Sequence, residues 1–304
     1  MDKKRLSIVL NGYNLRRFPP GLPEALRLAA DEMGWEAWVD ISISLDHFAQ
    51  LVRRAIASGA DTLLTGGGDG TLHHAINQPG IERLTLGVLP LGTINAFLRA
   101  ARVNVRRPER ALRQLLGGRE IHGRVGLLNG VRFACFASWG FDARVVHTNP
   151  RALKKAVGAA SYACTGAVEL ARWRANEVTG ELRPGGHEPL RASSVVVSKI
   201  ENYAGVNCFT ARLADPHFEA LAIRHDDPVT LLRMATHVLL RHPARGINPP
   251  AGLRQVRRCA GVAWRSPRHT YVQLDGEDAT VPDTHAMRLV VDPVEQRYLV
   301  PLEY

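Results

Sequence analysis

Thr62-Leu63-Leu64-Thr65-Gly66-Gly67-Gly68-Asp69-Gly70-Thr71-Leu72-His73-His74-Ala75-Ile76-Asn77 is the stretch that decides the fold. Thr62–Thr65 is a short apolar and β-branched run, the mark of a buried strand. Thr71–Asn77 reads as a short helix. Between them stand Gly66, Gly67, Gly68 and Gly70, four glycines in five positions. Such a loop turns tightly and leaves main-chain N–H groups open to a single anion. The helix start behind it adds the positive end of a dipole. Thr71 is suited to cap the helix or touch a phosphate oxygen. Asp69 is a carboxylate beside that phosphate position, unfavourable there unless a metal or a proton transfer gives it a role. No Gly-Lys-Ser/Thr follows, and the glycine spacing is not that of a dinucleotide fingerprint. Read alone, the stretch also suits a glycine-rich turn with no ligand.

A second loop alters that balance. Leu84–Leu89 reads as the next strand, and Leu89-Pro90-Leu91-Gly92-Thr93-Ile94-Asn95-Ala96-Phe97 follows it. It again brings Gly-Thr, here Gly92 and Thr93, to a helix start, with Asn95 in the first turn of a helix expected over Thr93–Ala101. Loops at the carboxyl ends of neighbouring parallel strands sit side by side, and ligands bind there. Two such loops in succession therefore point to one crevice.

Strands and helices alternate on either side of these loops. Strands are expected at Leu6–Leu10 and Trp35–Val39. Helices are expected at Pro23–Met33, with Pro23 in the first turn and Gly34 past its end, and after Asp46, which can cap a helix carrying Phe48, Leu51, Val52 and Ile56 and ending at Gly59. A further helix covers about Pro108–Leu116. This alternation predicts an α/β domain with a parallel sheet covered on both faces. After about Gly118 the texture becomes β-rich. Strands are expected at Ile121–Leu127, Arg132–Ser138, Ser193–Ser198, Cys208–Leu213, Leu221–Arg224, Gly261–Trp264, Tyr271–Leu274 and Arg288–Val291, an antiparallel second domain. Helical inserts are expected near Leu153–Arg174 and Pro228–Arg241. Tyr298–Leu302 has the pattern of a strand returning to the first domain.

The chain of 304 residues is 45% hydrophobic and 22% charged, the balance of a globular protein rather than a disordered one. Its formal net charge of +10 favours anionic partners: nucleotide, nucleic acid or an acidic membrane surface. Cys135, Cys164, Cys208 and Cys259 form no CxxC pair, so reduced, mostly buried thiols are expected rather than zinc or disulfides. Leu6–Leu10 is too short for a signal-peptide core, and Ala156–Ala171 is interrupted by Ser161, Thr165 and Glu169, so a cytoplasmic protein is expected. Arg233, Arg241 and Arg245 on the Pro228–Arg245 stretch suit either an anionic bilayer or a solvated edge. Aromatics interleave sparsely with the basic residues Arg254, Arg257, Arg258, Arg265 and Arg268, so no nucleic-acid role is expected.

The paired Gly67–Thr71 and Pro90–Arg99 motifs resemble the diacylglycerol kinase catalytic family, which includes bacterial lipid kinases and sphingosine and ceramide kinases. Gly140-Phe141-Asp142-Ala143 and Gln273-Leu274-Asp275-Gly276-Glu277 are similar to two later motifs of that family, in the same order. The Gly-Gly-Asp-Gly-Thr run is shared with NAD kinases and phosphofructokinase relatives; the Pro-Leu-Gly-Thr-x-Asn loop distinguishes the lipid-kinase branch. The resemblance implies an ATP-binding α/β domain over 1–118, joined by a strand over 295–304, and a β-sandwich over 119–294, with a cleft between them. It implies ATP held with Mg²⁺ by Asn11, Gly66, Gly67, Gly68, Gly70, Thr71, Gly92, Thr93, Asn95 and Asp275. Glu277 is the implied general base, Asp69 the residue near the phosphates or their metal, and Asp142 a contact to the substrate's polar head. The implied reaction phosphorylates a lipid hydroxyl at a membrane surface. Oligomeric state, a homodimer included, is left open.

The sequence departs from the family pattern at Gly12-Tyr13-Asn14, where only Asn11 matches the usual Asn-Pro-x-Ser-Gly. It departs again at His73-His74, at Ala96 and at Arg124. Phe218-Glu219-Ala220-Leu221 replaces the metal-binding Asp-Gly loop of several bacterial members. These departures keep two alternatives in play: a nucleotide-binding regulatory protein without catalysis, and a kinase of a soluble acceptor such as NAD or a sugar.

Overall fold

The computed structural model describes residues 3–150, 153, 157, 158, 160–172, 178–183, 188–203, 206, 207, 209–224, 229, 230, 253–266, 268, 270–278, 281 and 284–304. They form two compact units, Met1–Arg124 with Pro293–Tyr304, and Val125–Asp292.

In the first unit β1 (Arg5–Asn11), α1 (Gly12–Leu15), α2 (Leu22–Glu32), β2 (Glu36–Ser42), α3 (Leu45–Ala57), β3 (Thr62–Gly67), α4 (Asp69–Ile76), β4 (Thr85–Pro90), α5 (Ala96–Ala100) and α6 (Pro108–Leu116) follow in order. The sheet is parallel in the order β2-β1-β3-β4. Every residue of β3 and β4 is buried, as expected of central strands covered on both faces. The apolar stripes of α2, α3 and α6 supply the cover through Leu26, Ala30, Phe48, Val52, Leu112 and Leu115. Gly34 and Gly59, at φ +82° and +71°, end α2 and α3 in the left-handed conformation that glycine reaches without strain. The cap of α3 differs from expectation. Ser44, two residues before Asp46, takes the extended cap conformation, and its hydroxyl accepts from His47 N at 3.1 Å.

The second unit is built from antiparallel strands. β5 (Arg119–Leu128) enters it and pairs with β6 (Val131–Phe133) across an Asn129-Gly130 turn with positive φ at both residues. Then come β7 (Phe136–Trp139), α7 (Phe141–Thr148), α8 (Ala160–Arg172), β8 (Val178–Leu182), β9 (Glu188–Ala192), β10 (Ser194–Ser198), β11 (Asn202–Tyr203), β12 (Val206–Asn207), β13 (Phe218–Ile223), β14 (Leu253–Cys259), β15 (Gly261–Arg265), β16 (Val272–Leu274), β17 (Glu277–Asp278) and β18 (Ala286–Val300). One sheet runs β14-β13-β10-β7-β16-β17; facing it, β9, β8, β15 and the first part of β18 pair in that order, in a sheet that β18 continues to β4. Their inner faces share one core that includes Phe133, Trp139, Val195, Phe218, Val262, Trp264 and Leu289. At its centre the Trp139 and Trp264 rings stack with centroids 3.5 Å apart.

The last strand carries the chain back to the first unit, where Arg297 and Tyr298 pair in parallel with Thr85 and Leu86 of β4. The strand expected over Arg132–Ser138 breaks between β6 and β7. Residues 209–213 of the expected Cys208–Leu213 strand are loop, with Phe209, Ala211 and Leu213 buried. Cys208 and the helix expected over Pro228–Arg241, apart from Val229 and Thr230, lie outside the described residues. Among the described residues no helix is long and apolar enough to cross a membrane.

Candidate nucleotide and acceptor sites

The parallel register pairs Gly66 with Leu89 and Gly67 with Pro90, so the loops after β3 and β4 leave the sheet side by side. The Gly67 carbonyl accepts from both Leu91 N, at 3.1 Å, and Gly92 N, at 2.9 Å. Beyond it the two main chains touch. A Cβ on Gly92 would stand 2.4 Å from Gly68 Cα, and one on Gly68 3.2 Å from Gly92 Cα. A Cβ on Gly67 would meet the Thr71 hydroxyl oxygen at 2.0 Å. Only glycine permits this approach.

Gly68 begins α4 without a side-chain cap, so no side-chain acceptor covers the positive end of that helix's dipole. Thr71 is buried in that turn, with its N–H on the Gly68 carbonyl. Asn95 does not lie inside the helix, as the sequence predicts. It precedes α5 at φ +54°, and its Nδ2 donates to the Gly92 carbonyl at 3.0 Å. Its Oδ1 is buried and takes no hydrogen bond among the described residues. A left-handed asparagine with an unsatisfied buried acceptor beside two touching glycines is a feature that a polar ligand relieves.

Asp69 holds the second loop in place. Its Oδ2 accepts from Ala96 N and its Oδ1 from Phe97 N, both at 2.9 Å, so the carboxylate caps the start of α5. Among the described residues no group of three His, Cys, Asp or Glu side chains could hold a metal. Asn11 caps α1, accepting from Tyr13 N at 3.0 Å and Asn14 N at 3.4 Å. Arg17 Nη1 donates to the Thr93 hydroxyl at 3.4 Å, which ties the segment after β1 to the second loop.

In the second unit Asp275 and Gly276, at φ +55° and +81°, form the turn between β16 and β17 that carries Glu277. Asp275 is buried, and its carboxylate accepts from Ala134 N at 2.9 Å, Cys135 N at 2.7 Å and Phe136 N at 3.2 Å. It anchors the hairpin to the bend between β6 and β7. Glu277 is half-buried at the start of β17. Asp142 stands in the first turn of α7. It is half-buried and accepts from the hydroxyls of Ser138 and Tyr203 and from Gln273 Nε2 at 3.3 Å. Burial pushes its carboxyl above the ordinary value, and these three hydrogen bonds oppose that rise. Glu219, at the position of the family's metal loop, is buried in β13 and accepts from Thr210 N at 2.6 Å and the Thr210 hydroxyl at 2.9 Å.

Residues 24–128 match the family of the diacylglycerol kinase catalytic domain. A protein named "Probable lipid kinase YegS-like" from Pseudomonas fluorescens (strain Pf0-1) is 34% identical over 173 residues, 55% of this chain and 53% of that protein. Its namesake from Pseudomonas aeruginosa (strain UCBPP-PA14) is 35% identical over 172 residues, 55% and 54% of the two. The chain thus spans about half the length of the curated relatives it matches. A crystal structure of a diacylglycerol kinase from Bacillus anthracis str. Sterne superposes with a TM-score of 0.68 at 15% identity, covering 99% of this chain and 98% of that one. That likeness is one of fold. The motifs and the curated relatives point the same way as the family match, which is to the diacylglycerol kinase catalytic domain over residues 24–128.

Proposed function

We propose that the protein is an ATP-dependent lipid kinase, transferring the γ-phosphoryl group of ATP to a hydroxyl of a lipid such as diacylglycerol or a sphingoid or ceramide-like alcohol. The observation that carries this reading is the main-chain contact of Gly68 with Gly92, which leaves the uncapped start of α4 and the buried Asn95 Oδ1 beside one another. Phosphoryl transfer is mostly a matter of holding phosphates and neutralising charge, and bare amides at a helix start do both. Gly66, Gly67, Gly68, Gly70, Thr71, Gly92, Thr93 and Asn95 take the phosphates in this reading. Asp69 keeps the second loop in register, and Asn11 and Arg17 border it. Glu277 accepts the proton of the lipid hydroxyl as its oxygen bonds the γ-phosphorus and the bond to ADP breaks. Asp142 offers its remaining lone pair to the acceptor's polar head, and Asp275 holds the turn that carries Glu277. A net charge of +10 favours work at an anionic membrane surface.

The test is a panel of lipid alcohols in vesicles with labelled ATP and magnesium, run beside NAD and simple sugars. Labelled phospholipid is expected, with Glu277→Gln lowering turnover about a thousandfold while ATP affinity holds. Label on a soluble acceptor alone, or tight ATP binding with no transfer to any lipid, contradicts the proposal.

A further inference from the structure

The β16–β17 hairpin is three residues against two, too short to hold its own shape, since even longer isolated hairpins are marginal in water. Its register sets Gln273 opposite Asp278 and Leu274 opposite Glu277. Both members of the Gln273–Asp278 pair are gripped from one helix. In the first turn of α7, Asp142 accepts from Gln273 Nε2 at 3.3 Å. In its last turn, His147 Nδ1 lies 2.8 Å from Asp278 Oδ2. Gln273 is fully buried and relays the grip, because its Oε1 accepts the N–H of Gly276 at 2.8 Å. Asp142 is itself fixed by the hydroxyls of Ser138 and Tyr203. Between the two grips the Tyr271 ring packs on His147, centroids 4.6 Å apart, with the Arg144 guanidinium 5.9 Å over its face.

We propose that α7 is a clamp that aims Glu277, acting through Gln273 as a positioning residue and through the His147–Asp278 pair at the hairpin's outer edge. The inference rests on the proposed role of Glu277 as general base. A base works only within hydrogen-bond reach of its proton, and a misplacement of about 1 Å costs on the order of a hundredfold in rate. Glu277 adjoins both held points: it follows Gly276 and precedes Asp278.

Two variants test the clamp. Gln273→Met keeps the buried volume and removes both relay bonds. His147→Phe keeps the packing on Tyr271, removes the outer bond and alters a partly exposed residue, so its fold is secure even where Gln273→Met fails to fold. Turnover is expected to fall by on the order of 10- to 100-fold with Gln273→Met and several-fold with His147→Phe, at unchanged KM for ATP. Neither change is expected to lower the residual rate of Glu277→Gln further, since residues acting as one unit are not additive. The Gly276 amide is expected to exchange at least about tenfold faster in Gln273→Met, a readout that needs no activity. Wild-type turnover in His147→Phe, or an equal loss from either variant in the Glu277→Gln background, overturns the clamp. A wild type that transfers no phosphate yet protects the Gly276 amide overturns the kinase reading and Glu277's role with it, but not the grip of the helix on the hairpin.

Discussion

At the glycine loops Gly68 and Gly92 bring main chain against main chain, whereas at the hairpin Asp142, Asp275 and Gln273 hold it with side chains. The glycine loops lie within 30 residues of sequence, and the side chain that joins them, Asp69 on Ala96 N and Phe97 N, comes from the first loop itself. The hairpin is fastened by partners 131 to 141 residues away in the chain, Asp142 with Gln273 and Ala134 with Asp275. A site of bare amides tolerates changes in its neighbours and fails on the smallest addition to its glycines. A site of relayed side chains fails when any buried acceptor is lost.

The sharpest way to break this contrast is Asp275→Ala. It strands three buried N–H groups and is expected to cost about 3 kcal/mol in denaturant unfolding. A loss below about 1 kcal/mol would show the hairpin anchored elsewhere. Next is Gly92→Ala, whose methyl must push Gly68 Cα away from 2.4 Å. The expected cost is about 2 kcal/mol, with at least a tenfold weaker ATP Kd by titration calorimetry. Gly166→Ala sharpens the contrast by sign. A Cβ there meets nothing within 4 Å in the middle of α8, so thermal unfolding is expected to move upward, by about 1 kcal/mol of stability.

The smallest effect is a pH dependence. Burial raises the Asp142 pKa above its ordinary 3.8. The folded chain therefore binds this proton more tightly than the unfolded one. The stability it gives is present below the ordinary carboxylate range and is lost as pH rises through the raised pKa. The wild-type urea midpoint is expected to fall relative to that of Asp142→Asn across that window, and a constant difference from pH 4 to 8 refutes the cause assigned.

The parallel half was legible because its signals are local. A continuous apolar run at Thr62–Thr65, the glycines after it, Pro23 at a helix start and Gly34 and Gly59 past helix ends each act within a few residues. Where two local signals competed, the reading slipped. Ser44, not Asp46, caps α3, because both are good caps and only the backbone angle chooses. Asn95 fell outside its expected helix because a left-handed residue is invisible in the pattern unless it is glycine. The fastening of the hairpin was hidden for another reason. Asp275-Gly276 announces a turn, but nothing local says that its carboxylate collects three amides from Ala134, Cys135 and Phe136. The Phe209–Leu213 segment shows the converse: its alternating apolar residues are buried as a strand's would be, yet among the described residues it pairs with no strand.

The most direct measurement is an ATP titration followed by the backbone amide resonances of Gly68, Gly70, Gly92 and Thr93. If both loops serve one polyphosphate, all four shift together on a single saturation curve, and inorganic triphosphate reproduces the shifts without the nucleoside. Movement confined to one loop, or two curves with separate midpoints, contradicts a shared site.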